Sequence, residues 1–82
     1  MTKILYFGWL SDVTGKTDEN LTIPDNIESA GQLRAWLDER LQTDGALLDP
    51  TVRIAIDREI ILDTASLNGA GEIALMPPVG GG

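Results

Sequence analysis

Lys3-Ile4-Leu5-Tyr6-Phe7-Gly8-Trp9-Leu10 is the stretch on which the fold turns. It is too short for a lone core helix, and its aromatic and branched content suits a strand in the middle of a sheet. Alternation sets Ile4, Tyr6, Gly8 and Leu10 on one face and Leu5, Phe7 and Trp9 on the other. Both faces are apolar. In a two-layer domain one face meets a helix, so the other leaves Phe7 and Trp9 uncovered unless a partner covers them.

Its counterpart is Glu72-Ile73-Ala74-Leu75-Met76, a second apolar strand that stops at Pro77 and Pro78. Between them, Ser11 to Asp18 carries turn chemistry around Asp12 and Gly15 and leads into a strand over Asn20 to Ile23, closed by Pro24. Ser29-Ala30-Gly31-Gln32 has the spacing of a capping box, in which the serine oxygen accepts from the backbone three residues on and the glutamine reaches back. The helix that follows repeats Leu33, Trp36, Leu37 and Leu41 at helical spacing. That pattern makes Trp36 a core residue and places Arg34, Asp38, Glu39 and Arg40 on a solvated face. Gly45 is positioned to cap its end, and Ala46 to Pro50 reads as an irregular connector.

Val52 to Ile56 alternates, with Ile54 and Ile56 inward and Arg53 outward. Asp57-Arg58-Glu59 supplies a tight turn, Ile60-Ile61-Leu62 pairs back, and Asn68 to Gly71 turns again before the last strand. The order is strand, strand, helix, strand, strand, strand. Its first and last strands are the most apolar and are separated by a helical crossover, which sets them side by side and parallel at the centre of a mixed sheet. This is an α+β arrangement with one main helix on one face, the ubiquitin-like β-grasp.

The end of the chain, Met76-Pro77-Pro78-Val79-Gly80-Gly81-Gly82, serves no core. Two prolines restrict the base, and three glycines, which cost about 1 to 2 kcal/mol each to order, follow it. The reading divides the chain into a body over residues 1–76 and a flexible tail over 77–82. Six extended residues span roughly 20 Å and the last three present backbone width alone, so the tail can thread a narrow channel. The Gly82 carboxylate is then the working group.

Composition removes most alternatives. Among 82 residues there is no cysteine and no histidine, which excludes disulfides, thiol nucleophiles, most zinc sites and the usual neutral-pH proton shuttle. Thirteen acidic and six basic side chains give a net charge of −7, which disfavours nucleic acid and anionic membranes as partners. No leader, membrane span or lipidation motif is evident, and a cytoplasmic location is expected. The carboxylates at Asp12, Asp18, Glu19, Asp38, Glu39, Asp57, Glu59 and Asp63 read as scattered over turns and a solvated helix face, with no metal-ligand spacing and no phosphate loop. Catalysis by the chain alone is therefore not expected.

Ile4-Leu5-Tyr6-Phe7-Gly8 with Leu10 and Gly15, the helix beginning at Ser29, Arg53-Ile54-Ala55-Ile56-Asp57, Leu67 before Asn68-Gly69, and above all Pro77-Pro78-Val79 before Gly81-Gly82 resemble the small, sulfur-carrying subunit of molybdopterin synthase. The tail is the specific part of the match. Departures are Gly80 where relatives often carry Ala, Ser or Thr, Met76 where an aromatic is common, Trp9 and Ser11 where basic residues often stand, and Asp57 in place of a frequent Asn.

The resemblance implies that a ubiquitin-activating-like adenylyltransferase uses ATP to adenylate Gly82. A sulfur donor then displaces AMP to leave a thiocarboxylate. A large synthase subunit accepts the tail, and sulfur passes to a cyclic pyranopterin precursor in molybdenum cofactor biosynthesis, the usual assembly being a heterotetramer. It implies no cofactor bound by this chain. Gly81 and Gly80 would keep the approach free of side chains, Pro77, Pro78 and Val79 would form the base of the tail, and Phe7, Ile60 and Met76 are expected to form a partner patch on the uncovered sheet face. Three alternatives stay open: a thiamine-pathway sulfur carrier, a ubiquitin-like protein modifier, and an interaction module with an inert tail.

Overall fold

A computed structural model describes residues 1–78. Five strands, β1 (Thr2–Tyr6), β2 (Asp18–Leu21), β3 (Arg53–Ile56), β4 (Glu59–Ile61) and β5 (Glu72–Met76), form one sheet in the order β2-β1-β5-β3-β4. The two most apolar strands lie side by side and parallel, with Ile4 opposite Ile73 and Tyr6 opposite Leu75, as their patterning and the helical crossover require. All other pairings are antiparallel.

The main helix, α2 (Ala30–Leu41), covers one face of this sheet. Its start is the capping box read from the sequence: Ser29 Oγ accepts from the Gln32 N–H at 3.2 Å, and Gln32 Oε1 accepts from the Ser29 N–H at 3.1 Å. Ile4, Tyr6, Ile54, Ile73 and Leu75 from the sheet join Leu33 and Leu37 from the helix in one buried core. Asp57 and Arg58 both take positive φ, 49° and 74°, in the two-residue turn between β3 and β4, a geometry matched to the twist of the hairpin.

Several expectations are corrected. β1 stops at Tyr6, because Gly8 takes a φ of 56° and turns the chain into a short helix, α1 (Leu10–Thr14), where a hairpin turn was expected. Trp9 thereby leaves the sheet. β2 begins two residues early, at Asp18. The end of α2 is capped by Gln42 in the left-handed conformation, at φ 54°; Gly45 instead precedes a 3-10 turn over Ala46–Leu48. Trp36 packs against the core as expected but stays half-buried, with the Arg40 guanidinium 5.7 Å from its ring centroid.

Arg34 is the largest correction. It belongs to the interior, at 5% exposure. Its Nε donates to the Leu47 carbonyl at 2.9 Å, its Nη2 to the carbonyls of Asp49 and Val52 at 2.8 and 2.7 Å, and its Nη1 to Asp63 Oδ1 at 2.9 Å. A buried guanidinium is tolerated when its donors are matched in this way, and here they tie the segment between α2 and β3 to the helix.

Candidate functional site

Because β1 and β5 are parallel, they end at the same edge of the sheet, and Pro77 leaves β5 beside the turn that leaves β1. The Phe7 N–H donates to the Leu75 carbonyl at 3.0 Å, extending the pairing one step past Tyr6. The Gly8 carbonyl accepts from both the N–H and the hydroxyl of Ser11, at 3.1 and 2.9 Å, which fixes the turn. A Cβ on Gly8 would lie 2.7 Å from Cγ of Pro77, so the missing side chain is what lets the Pro77 ring settle there. Pro77 is half-buried and Pro78 exposed. Val79, Gly80, Gly81 and Gly82, on which the expected chemistry falls, lie outside the described residues.

The sheet face opposite α2 is built by the residues that alternate with the core. One row across it is Leu5, Ala74, Ala55 and Ile60, each paired with the next. The row nearest Pro77 contains Met76 opposite Arg53, with Phe7 beyond Met76 on one side and Leu62 beyond Arg53 on the other. Phe7 is 48% exposed, Ile60 62% and Leu62 74%, while Met76 is half-buried. Phe7, Ile60 and Met76 therefore lie on the same uncovered face, Phe7 and Met76 in the row next to Pro77 and Ile60 one row further from it on the edge strand β4. Sequence reasoning placed Leu5 on this face without including it in the patch, and missed Leu62. The signal for Leu62 was available, since alternation through Ile60-Ile61-Leu62 points its ends the same way.

The row farthest from Pro77 is charged, and its lysine faces carboxylates. Lys3 stands opposite Glu72, and its ammonium lies 3.9 Å from Asp18.

Several carboxylates read as scattered surface groups turn out to be structural. Glu19, with an 11% exposed side chain, accepts from the Tyr6 hydroxyl at 2.7 Å and pairs with Arg40 and Lys16 at 3.0 and 3.5 Å. Burial raises its carboxyl, and the bonds from Tyr6 and Arg40 with the Arg40 and Lys16 charges outweigh that, leaving it below the usual range. The Tyr6–Glu19 contact acts oppositely on Tyr6, whose hydroxyl is pushed far up, first by burial and then by Glu19, against a smaller lowering by the Arg40 charge.

Asp38 accepts from the Thr43 hydroxyl and from the N–H groups of Gly45 and Leu47, at 3.0 and 3.2 Å for the latter two. Burial raises this carboxyl too, and these donors reverse the shift and hold it low. Asp57 Oδ1 accepts from the Glu72 N–H at 3.0 Å. Among the described residues no group of three histidine, cysteine, aspartate or glutamate side chains could hold a metal, and no helix is long and apolar enough to cross a membrane.

Residues 4–82 match the model of the ThiS family. Among solved structures, SAMP1 from Haloferax volcanii superposes with a TM-score of 0.78 at 19% identity, over 99% of this chain and 98% of that one. A candidate molybdopterin converting factor, subunit 1, from Pyrococcus furiosus has the same TM-score and identity over 95% and 97% of the two chains. A further structure of the H. volcanii protein, small archaeal modifier protein 1, gives a TM-score of 0.75 at 19% identity. No curated protein matches the sequence. At such identities the structural likenesses establish the fold, the ubiquitin-like β-grasp.

Proposed function

The chain belongs to the ThiS family of ubiquitin-like sulfur carriers, and from that premise we propose that it is the sulfur-carrying subunit of a molybdopterin synthase. The observation that carries the reading is the reach of the family match, which runs through residue 82 and so takes in the Pro77-Pro78 base and the glycines after it. The pair of prolines favours the pterin acceptor over the thiamine pathway.

An ionised terminal carboxylate, with a usual pKa of about 3.3 to 3.7, is a poor electrophile and must be activated. In this reading an oxygen of the Gly82 carboxylate attacks the α-phosphate of ATP on the adenylyltransferase, and pyrophosphate leaves. A sulfur nucleophile then adds to the acyl carbon and AMP departs, so the C–O bond to phosphate is replaced by C–S. Inside the large synthase subunit the thiocarboxylate sulfur passes to the pterin precursor, and water restores the carboxylate. Gly81 and Gly80 keep the approach narrow, and Pro77, Pro78 and Val79 reduce the entropy lost on docking. The uncovered face with Phe7, Ile60 and Met76 meets the activating enzyme and the synthase partner in turn, which makes the two complexes mutually exclusive.

The deciding experiment is the mass of the C-terminal peptide purified from the native source. A population with one oxygen replaced by sulfur at Gly82 is expected, and full synthase activity of a chain lacking Gly82 would refute the reading. The likeness to SAMP1, a named modifier, motivates one second reading, in which Gly82 forms isopeptide bonds with lysines. Conjugated ladders in extracts, abolished by removing Gly82, would favour it.

A further inference from the structure

The uncovered face contains a charge that its apolar setting does not explain. Arg53 lies within the row nearest Pro77, opposite Met76 on one side and followed by Leu62 on the other. It is exposed, and among the described residues no carboxylate lies within ion-pair distance of it, whereas Lys3 in the far row has Asp18 and Arg34 has Asp63. Its place matters more than its exposure. A surface that covers Phe7, Met76 and Leu62 cannot avoid covering Arg53, because Arg53 stands inside the row.

Burying a guanidinium without a partner is costly, and a carboxylate is the group whose two oxygens match its fork. We propose that Arg53 is a specificity-determining residue of the docking face, and that the protein covering this face presents a carboxylate to it from within an apolar patch. The inference rests on the sulfur-carrier reading for the existence of that partner. It adds the chemistry by which the partner is recognised.

The expected sign separates this local pairing from long-range attraction. The chain has a net charge of −7, so a partner drawn by overall charge would be basic and would bind faster when Arg53 is neutralised or reversed. A matched carboxylate demands the opposite. The probe is the ubiquitin-activating-like adenylyltransferase from the same genome, titrated with the full chain carrying Arg53→Met, Arg53→Glu or, as a face control, Met76→Asp.

Arg53→Met is expected to weaken binding about tenfold or more by leaving the partner's carboxylate unpaired, and Arg53→Glu to weaken it further, chiefly through faster dissociation. Circular dichroism checks that each variant is folded. Binding unchanged or tightened by Arg53→Glu while Met76→Asp disrupts it would overturn the inference and leave the sulfur-carrier reading intact. Indifference of binding to all three substitutions would overturn the docking face as well. Failure of the unsubstituted chain to bind, with no sulfur on Gly82 by mass, would remove the reading itself and this inference with it.

Discussion

The two faces of the sheet use the same strands and opposite rules. On the face under α2, Ile4, Ile54, Ile73 and Leu75 are each at most 1% exposed and are packed against Leu33 and Leu37. On the other face Ile60 and Leu62 are 62% and 74% exposed, although they are as apolar as anything in the core. Hydrophobicity alone therefore does not assign a residue to the interior. Supply of covering elements does: an 82-residue chain with one long helix has cover for one face, and its second face stays available for another protein.

Substitutions on the covered side should act on stability. Arg34→Ala is expected to cost most, about 3 to 5 kcal/mol, because it strands the carbonyls of Leu47, Asp49 and Val52 that the guanidinium now satisfies. Leu37→Ala should follow at about 3 kcal/mol by leaving a cavity beneath the helix. Denaturant titrations would check both values. A cost below about 1 kcal/mol at either position would break the contrast from the covered side.

Ile60→Ser tests the other side. Its side chain projects into solvent, so folding stability should change by no more than about 0.5 kcal/mol, while affinity for the proposed adenylyltransferase partner falls. A large loss of stability here would show that the uncovered face is held by the domain itself.

How far the sequence disclosed this arrangement depends on the kind of signal. The central parallel pair and the capped helix were legible because they rest on local period and on a spacing of three residues between Ser29 and Gln32. The patch of Phe7, Ile60 and Met76 followed from alternation once the strand order was known. Arg34 and Asp38 were misread as solvated, since helical periodicity reports distance from an apolar stripe and says nothing of which carbonyls or amide groups a distant loop will bring. Glu19 was misread for a similar reason: its partners Tyr6 and Arg40 come from a neighbouring strand and from the helix. The short helix after Gly8 hinged on one positive φ that glycine permits but does not announce.

The smallest expected effect is a difference in acid sensitivity that belongs to the covered side. Asp38 sits on α2 and gathers the Thr43 hydroxyl and the Gly45 and Leu47 N–H groups, and its carboxyl is held below the ordinary value by those donors. Glu19 is held low by Tyr6, Arg40 and Lys16. A carboxyl depressed in the folded state binds fewer protons there than in the unfolded chain at mildly acid pH. Its stabilisation is thus complete above the unfolded values, about 3.9 for aspartate and 4.3 for glutamate, and is lost as pH falls through the lower folded values. Stability should accordingly hold steady down to about pH 5 and decline below about pH 4. Asp38→Asn should lower stability at neutral pH, yet flatten that decline, because the proton taken up at position 38 on unfolding is gone. Denaturant titrations at pH 7 and pH 3.5 on both chains would show it. Parallel pH curves for the two chains would mean that Asp38 holds the end of α2 without any contribution from its charge.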